Sequence, residues 1–263
     1  MIKKYEKIFI KKLNKYINKN DTLYIELDLS RFNKIYDEIK SRDQFLKFFL
    51  NIFKKLVGKN GNIVVPSFSY SWGKDKKNKI FDTKKSPCLT GAFPNFFKSL
   101  KNVKRTLDPN FSCLIYGKDK NKLASVGNNS FGKNSIYEKL HNKNTKLVSF
   151  GLKAFDPTFV HYVEQFYDEN INKIKYRYLK KIKGKLTISY KKKTKIFYCF
   201  LRNLKTKRIY SDHNIKKVMK DRKELISIDI LNNKIYICEA KNFFNTGIKE
   251  MKKNKYFFTK KIK

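Results

Sequence analysis

The sequence predicts an α/β protein, with helices layered on both faces of a sheet and an antiparallel β-rich C-terminal part. Three features predict it. Segments of helical period alternate with short strand-like runs over the first part of the chain. One of those runs, N-I-V-V-P at 62–66, is apolar throughout, as in strands buried on both faces. From residue 185 the period shortens to two, with basic or Asn-rich turns between the runs.

Residues 3–17 place Tyr5, Ile8, Phe9, Leu13 and Ile17 at helical spacing, and 18–21 break the helix. Leu23, Ile25, Leu27 and Leu29 then alternate with other residues, as in a strand. A second helix over 44–57 carries Phe45, Phe48, Phe49, Ile52, Phe53 and Leu56 on one face, with Gly58 and Gly61 at its end. After the 62–66 strand, residues 67–94 are polar and punctuated by Gly and Pro; connectors of that length are usually functional. A short helix around 96–100 and strands at 111–116 and 146–151 follow. Asp156 as N-cap and Pro157 at the first helical position start another helix. Further on, 185–190 and 196–202 pair across a basic turn, 215–225 form a polar helix, and 225–230 and 234–240 form a hairpin over Asn232-Asn233. The expected division is a catalytic core over 1–180 with a β-rich part over 181–263 packed on it.

With 263 residues, 41% of them hydrophobic, the chain can bury a sizeable core. No apolar run reaches membrane-spanning length and the N-terminus lacks a signal-peptide pattern, so a cytoplasmic location is expected. Cys88, Cys113, Cys199 and Cys238 form no CxxC pair, and only three His are present, so neither a metal site nor a disulfide framework is expected. Lys and Arg number 62 against 22 Asp and Glu, a formal charge of +40. The lysines are spread from end to end among Asn, Ile, Phe and Tyr, residues that share A/T-rich codons. No basic helix, RNP-like motif or helix-turn-helix pattern accompanies them, so no nucleic-acid partner is expected. The charge favours an anionic substrate over a polycationic one.

Scarce histidine turns the search for a base into elimination. His141, ending a helix in E-K-L-H-N-K-N, and His213, in S-D-H-N, read as exposed. His161 differs. Phe159, Val163 and Phe166 form an apolar seam with Val160 beside it, while Thr158, His161, Glu164, Gln165 and Asp168 gather on a polar face. Glu164, one turn on, can fix the imidazole tautomer and stabilise the imidazolium, so the pair is a candidate base; such pairs also occur on ordinary solvated helix faces. Cys88 in S-P-C-L-T-G-A is a candidate nucleophile without a local signature, and a buried or loop thiol is the plainer reading. No GxSxG elbow, Walker loop or GxGxxG run is present.

The runs V-V-P-S-F-S-Y-S-W (64–72), Phe81-Asp82, Ser86-Pro87, T-G-A-F-P (90–94), R-T-L-D-P-N-F-S (105–112), F-G-K-N-S (131–135) and T-F-V-H-Y-V-E (158–164) stand in a telling order. In order and spacing, over about residues 21–178, the chain resembles the aminoglycoside 3-N-acetyltransferase family, most of all members that acylate amino sugars for surface polysaccharides. The resemblance implies an α/β fold distinct from the GNAT acetyltransferases. It also implies direct transfer from acetyl-CoA or another acyl-CoA to a primary amine, with His161 as base and Glu164 orienting it. The cofactor site it implies draws on Ser30, Ser67, Ser69, Thr90, Gly91, Arg105 and Ser112, and the acceptor site on Tyr70, Asp82 and Asp108.

Two positions depart from the family. Many relatives end the first strand in His-Ser, whereas this chain has Glu26-Leu27, then Asp28 and Ser30 as in the sugar-modifying branch. Asp108 stands where antibiotic-modifying relatives often carry His. With the net charge, these lead to the expectation of N-acetylation of an anionic amino-sugar nucleotide. The alternatives are acetylation of an aminoglycoside, a ping-pong route through Cys88, and a non-enzymatic basic nucleic-acid-binding protein. A homodimer is left open.

Overall fold

The computed structural model describes residues 2–73, 77–188 and 191–262. In chain order it begins with α1 (Ile2–Leu13), β1 (Thr22–Leu27), a 3-10 turn (Leu29–Phe32), α2 (Asn33–Ile39), α3 (Arg42–Val57) and β2 (Asn62–Pro66). Next come β3 (Ile80–Asp82), α4 (Ala92–Lys98), β4 (Lys104–Arg105), β5 (Cys113–Gly117), α5 (Lys120–Ala124), α6 (Ile136–Asn142), β6 (Lys146–Phe150) and α7 (Val160–Asn170). The chain closes with β7 (Arg177–Ile188), β8 (Lys191–Arg202), β9 (Arg208–Tyr210), α8 (His213–Asp221), β10 (Ile226–Ile230), β11 (Asn233–Glu239), α9 (Ala240–Lys253) and β12 (Thr259–Lys261).

A seven-stranded sheet in the order β10-β11-β6-β1-β2-β5-β4 forms the centre. β6, β1 and β2 are parallel, while β11 and β5 run antiparallel to their neighbours. Strand alternation divides the core into two layers. Leu23, Ile25, Ile63, Val65, Val148 and Phe150 face α1 to α4. There Phe49 and Phe53 meet the Phe150 ring edge-on at 5.7 and 5.2 Å. Tyr24, Val64, Leu147 and Tyr236 face the other way, into a cluster with Tyr137, Phe159, Val163 and Phe243. The helix/sheet/helix layering matches the expectation, and it has one direct consequence: Glu26 follows Tyr24 on the face that looks toward α7.

Several elements differ from the sequence reading. β1 stops at Leu27, where Asp28 caps the 3-10 turn by accepting from the Ser30 N–H. β3 lies inside the long 67–94 connector, formed because Phe81 is buried and pairs in register with Leu186 of β7. The strand expected at 185–190 begins at Arg177, and its last two expected residues lie outside those described. α9 was not anticipated; it packs Phe243, Phe244 and Met251 into the cluster shared with α7. Regular helix in α7 starts at Val160, after a turn in which the Val160 N–H donates to the Pro157 carbonyl, and Asp156 does not cap it. β10 and β11 add two strands to the central sheet through the β11–β6 pairing, and β7 runs across residue 180.

β3, β7 and β8 make a second sheet, set on Trp72. Trp72 is fully buried, and a Cβ added at Gly184 would lie 2.4 Å from its indole. Gly184→Ala should therefore destabilise the protein by about 1–3 kcal/mol through overpacking. Denaturant titration checks this: the midpoint should fall with an unchanged slope, and an unmoved midpoint would contradict the packing.

Candidate active site

The first turn of α7 carries His161, held to the core by Phe159, Val160 and Val163. The expected polar face exists, but only part of it meets water: Glu164 and Gln165 are fully buried, while Thr158, His161 and Asp168 are half-buried. His161 Nδ1 lies 2.9 Å from Glu164 Oε2, and the edge of the Phe131 ring closes the imidazole at 5.2 Å between centroids. Since the carboxylate accepts, Nδ1 carries the proton and Nε2 keeps its lone pair. Gln165 donates to Asn129 and Glu169, while Asp168 pairs with Lys173 and accepts from the Ile174 N–H.

A third residue completes the unit. Arg177, the first residue of β7, places its Nε 2.6 Å from Glu164 Oε2 and an Nη 3.2 Å from His161 Nε2. Burial alone would raise the Glu164 pKa, but Arg177 and the His161 hydrogen bond outweigh it and hold the carboxyl below its ordinary value. Burial, reinforced by Arg177, depresses the His161 pKa against the opposing pull of Glu164. The result is an ionised carboxylate beside a neutral imidazole, the state in which a base works. Sequence inspection missed Arg177, because nothing in the local pattern marks it among so many cations.

The N-terminal end of α7 meets the end of β1. Glu26 Oε1 accepts from the Thr158 N–H at 3.0 Å and from the Tyr24 hydroxyl at 3.1 Å. It thereby pairs an N–H of the turn that leads into α7. A cleft of about 360 Å³ opens here, walled by Ile25, Val65, Phe68 and Pro94, with Glu26, Asp156, Lys153 and Thr90 as polar groups. Burial pushes the Glu26 pKa up to about 7, against its hydrogen bonds to Thr158 and with Asp156 adding to it. Asp156, exposed at the rim, is raised to about 6 by partial desolvation, helped by Asp212 and Glu164. Two carboxylates with raised pKa in an apolar cleft are a signature of a functional site.

The other expected residues fall into two groups. Thr90 lines the cleft, its hydroxyl donating to the Pro66 carbonyl at 2.7 Å. Gly91 starts α4 with φ +115° and has no atom within 4 Å of where a Cβ would stand. The remaining polar groups hold one another. The Arg105 guanidinium, largely buried, donates to the carbonyls of Ser67, Ser86 and Pro87 and to Ser112 Oγ. Ser67 and Ser112 exchange a hydroxyl contact at 3.1 Å, and Ser69 donates to the Pro109 carbonyl. Asp108 is buried and accepts from the N–H groups of Asn110 and Phe111; Asp82 accepts from those of Lys84 and Lys85. Ser30 is exposed and donates to Asp28. Tyr70, with φ +46° and 43% exposed, leads through Phe111 and Phe131 to His161 by ring contacts of 5.5, 4.7 and 5.2 Å. It also lines a second cavity of about 330 Å³ with Trp72, Lys180, Lys181 and Lys183.

Other centres carry less. Among the described residues no group of three or more His, Cys, Asp or Glu could hold a metal. All four cysteines are buried and unpaired, and burial raises the Cys88 pKa with only Arg105 and Lys98 opposing, so no histidine activates that thiol. His141 is half-buried rather than exposed as expected, stacked on Phe244 at 4.2 Å with Nδ1 3.0 Å from the Tyr162 hydroxyl. His213 is exposed at the start of α8. No helix among the described residues is long and apolar enough to cross a membrane.

Comparison with known proteins bears on this arrangement. No curated protein sequence matches the chain. Solved structures do. AAC-IIIb in binary complex with CoASH superposes with a TM-score of 0.74 at 14% identity, over 94% of this chain and 96% of that one. The YokD protein of Bacillus subtilis gives 0.72 at 16%, over 95% and 94%. AAC-VIa bound to sisomicin gives 0.74 at 14%, over 94% and 97%. These likenesses establish the fold, which is not that of the GNAT enzymes. The family model described as aminoglycoside 3-N-acetyltransferase matches residues 35–252, most of the chain. The chain thus belongs to the aminoglycoside 3-N-acetyltransferase family, whose members are transferases that use acetyl-CoA.

Proposed function

We propose that this acetyltransferase acylates a primary amine of an amino sugar directly, with His161 as general base and Glu164 as its partner. One observation carries the reading: a neutral imidazole whose Nδ1–H is held by a buried, ionised carboxylate, on a helix whose leading turn is hydrogen-bonded to Glu26 of the cleft. Acetyl-CoA supplies the acetyl group as a thioester. The cleft suits it through its apolar walls, with the Thr90 hydroxyl oxygen left as an acceptor and Gly91 next in the chain leaving the backbone unobstructed. Arg105, Ser67, Ser69 and Ser112 shape that wall by holding its loops together, since their donors are engaged within the protein.

In this scheme the neutral amine forms the new C–N bond while His161 Nε2 takes its proton. Glu164 stabilises the imidazolium so formed. His161 returns the proton to the departing thiolate as the C–S bond breaks, leaving an acetamide and CoA with a free thiol. Cys88 has no part, as burial keeps it a thiol.

For the acceptor, the family and the solved relatives favour an aminoglycoside-type amine over the nucleotide-linked sugar that the net charge suggested. The cleft supplies a physical reason. Glu26 and Asp156 face it beside one cation, Lys153, and a carboxylate ionised by an entering ammonium acts at contact range, whereas the diffuse positive field is screened within about 8–10 Å at physiological salt. The nucleotide-linked amine stays as a second reading because of the second cavity, where Lys180, Lys181 and Lys183 could meet a phosphate.

His161→Asn should lower turnover by about 10²–10⁴-fold with CoA affinity retained, measured by thiol release and calorimetry. Activity within a few-fold of the parent would remove His161 from the role of base. Because the depressed His161 must be neutral, kcat at saturating acceptor should hold below pH 6.5 and then fall as pH drops through the His161 pKa, whereas kcat/KM for a polyamine also falls as Glu26 is protonated near pH 7. Acceptors are separated by a panel of aminoglycosides and nucleotide-linked amino sugars with acetyl-CoA. Glu26→Gln should weaken KM for polyamine acceptors several-fold; turnover of nucleotide-linked sugars alone would overturn the preferred acceptor.

A further inference from the structure

The base in this structure is already engaged. Glu164 accepts a hydrogen bond from the Nδ1–H of His161, so Nε2 is the sole ring lone pair that can accept the proton of an amine. An Nη of Arg177 points at that lone pair from 3.2 Å. The same guanidinium sets its Nε against Glu164 and donates from Nη1 to the Phe200 carbonyl at 3.3 Å, which ties it to β8 as well. Its side chain is only 10% exposed and Glu164 only 1%. A buried carboxylate needs a compensating charge, and a neutral imidazole supplies none. Arg177 supplies it.

We infer that Arg177 is a positioning residue of the transfer reaction: it neutralises buried Glu164 and caps His161 Nε2 until the acceptor amine replaces it. This rests on His161 being the base. The two donors cannot share one lone pair, so the amine must move the guanidinium aside to hand over its proton. Arg177 retains Glu164 and the Phe200 carbonyl as partners while it moves, so the carboxylate is never left bare. The cap also fixes the ring: Glu164 on one nitrogen and Arg177 on the other leave the imidazole one orientation and one tautomer. Among the described residues the groups that face His161 are Glu164 from its own helix, Arg177 from β7, and the uncharged ring of Phe131, so Arg177 is the cation acting on it there.

Histidine-selective ¹⁵N NMR tests this without turnover, and three histidines make the assignment simple. In the unaltered protein His161 should be the Nδ1–H tautomer, with a midpoint below the ordinary histidine range. Finding the Nε2–H tautomer would overturn the cap, because Arg177 could not then donate to that nitrogen. Arg177→Met should raise the His161 midpoint by about one pH unit and move the acid limb of kcat at saturating acceptor up by the same amount. Arg177→Lys, which keeps the charge, should stay close to the parent in midpoint. An unchanged midpoint in Arg177→Met would reduce the residue to a structural role. If that variant does not fold, the tautomer in the unaltered protein still decides. Should the tautomer and midpoint behave as stated while His161→Asn keeps its activity, the cap stands and the base assignment fails.

Discussion

A carboxylate sealed from water must find its charge balance inside the protein, and for Glu164 that balance is Arg177. Much of the architecture around the site follows from this one contact. It joins the middle of α7 to the first residue of β7, elements with different neighbours: α7 packs on α9 and the central sheet, β7 on β8 and Trp72. It keeps Glu164 ionised, which sets the His161 tautomer. It also explains why a helix face that looks solvated in sequence is partly covered in three dimensions. The second sheet delivers the cation the first layer lacks.

The second constraint is local charge. A chain of formal charge +40 invites the view that its substrate is an anion, yet its cleft presents Glu26 and Asp156. Desolvation raises both carboxyls toward neutrality, so on the proposed reading an entering ammonium group would stabilise their ionised form and be held by it. Glu26 does further work by receiving the Thr158 N–H at the start of α7. The departure from the family at the end of β1 therefore sits beside the helix that carries His161. Net charge describes the approach to the protein; the cleft decides what stays.

Much of this was legible in the sequence, and the gaps have physical causes. N-I-V-V-P at 62–66 was read with correct ends because a strand buried on both faces needs no partner pattern to be seen. The Leu23 and Ile25 alternation gave β1 its orientation, and with it the side on which Glu26 emerges. The start of α7 was misplaced because Asp156-Pro157 has the local chemistry of a cap, while the acceptor comes from β1, 132 residues away. α9 escaped notice because β11 runs into it at Ala240 with no Gly or Pro between. His161 and Glu164 could be found because their spacing is local. Arg177 could not, since its importance comes from a strand passing beside a helix, and sequence shows it as one cation among 62. The scaffold role of Arg105 was hidden for a related reason: four acceptors from three segments converge on it only after folding.

The central claim is that His161 Nε2 is where the acceptor amine gives up its proton. A crystal structure of the dead-end complex with CoA and an acceptor amine tests it most directly. The account predicts the amine nitrogen within about 2.6–3.2 Å of Nε2, the Arg177 guanidinium turned off that nitrogen but still against Glu164, and the CoA sulfur beside the amine. An amine bound out of reach of His161, with Arg177 still in place on Nε2, would contradict it.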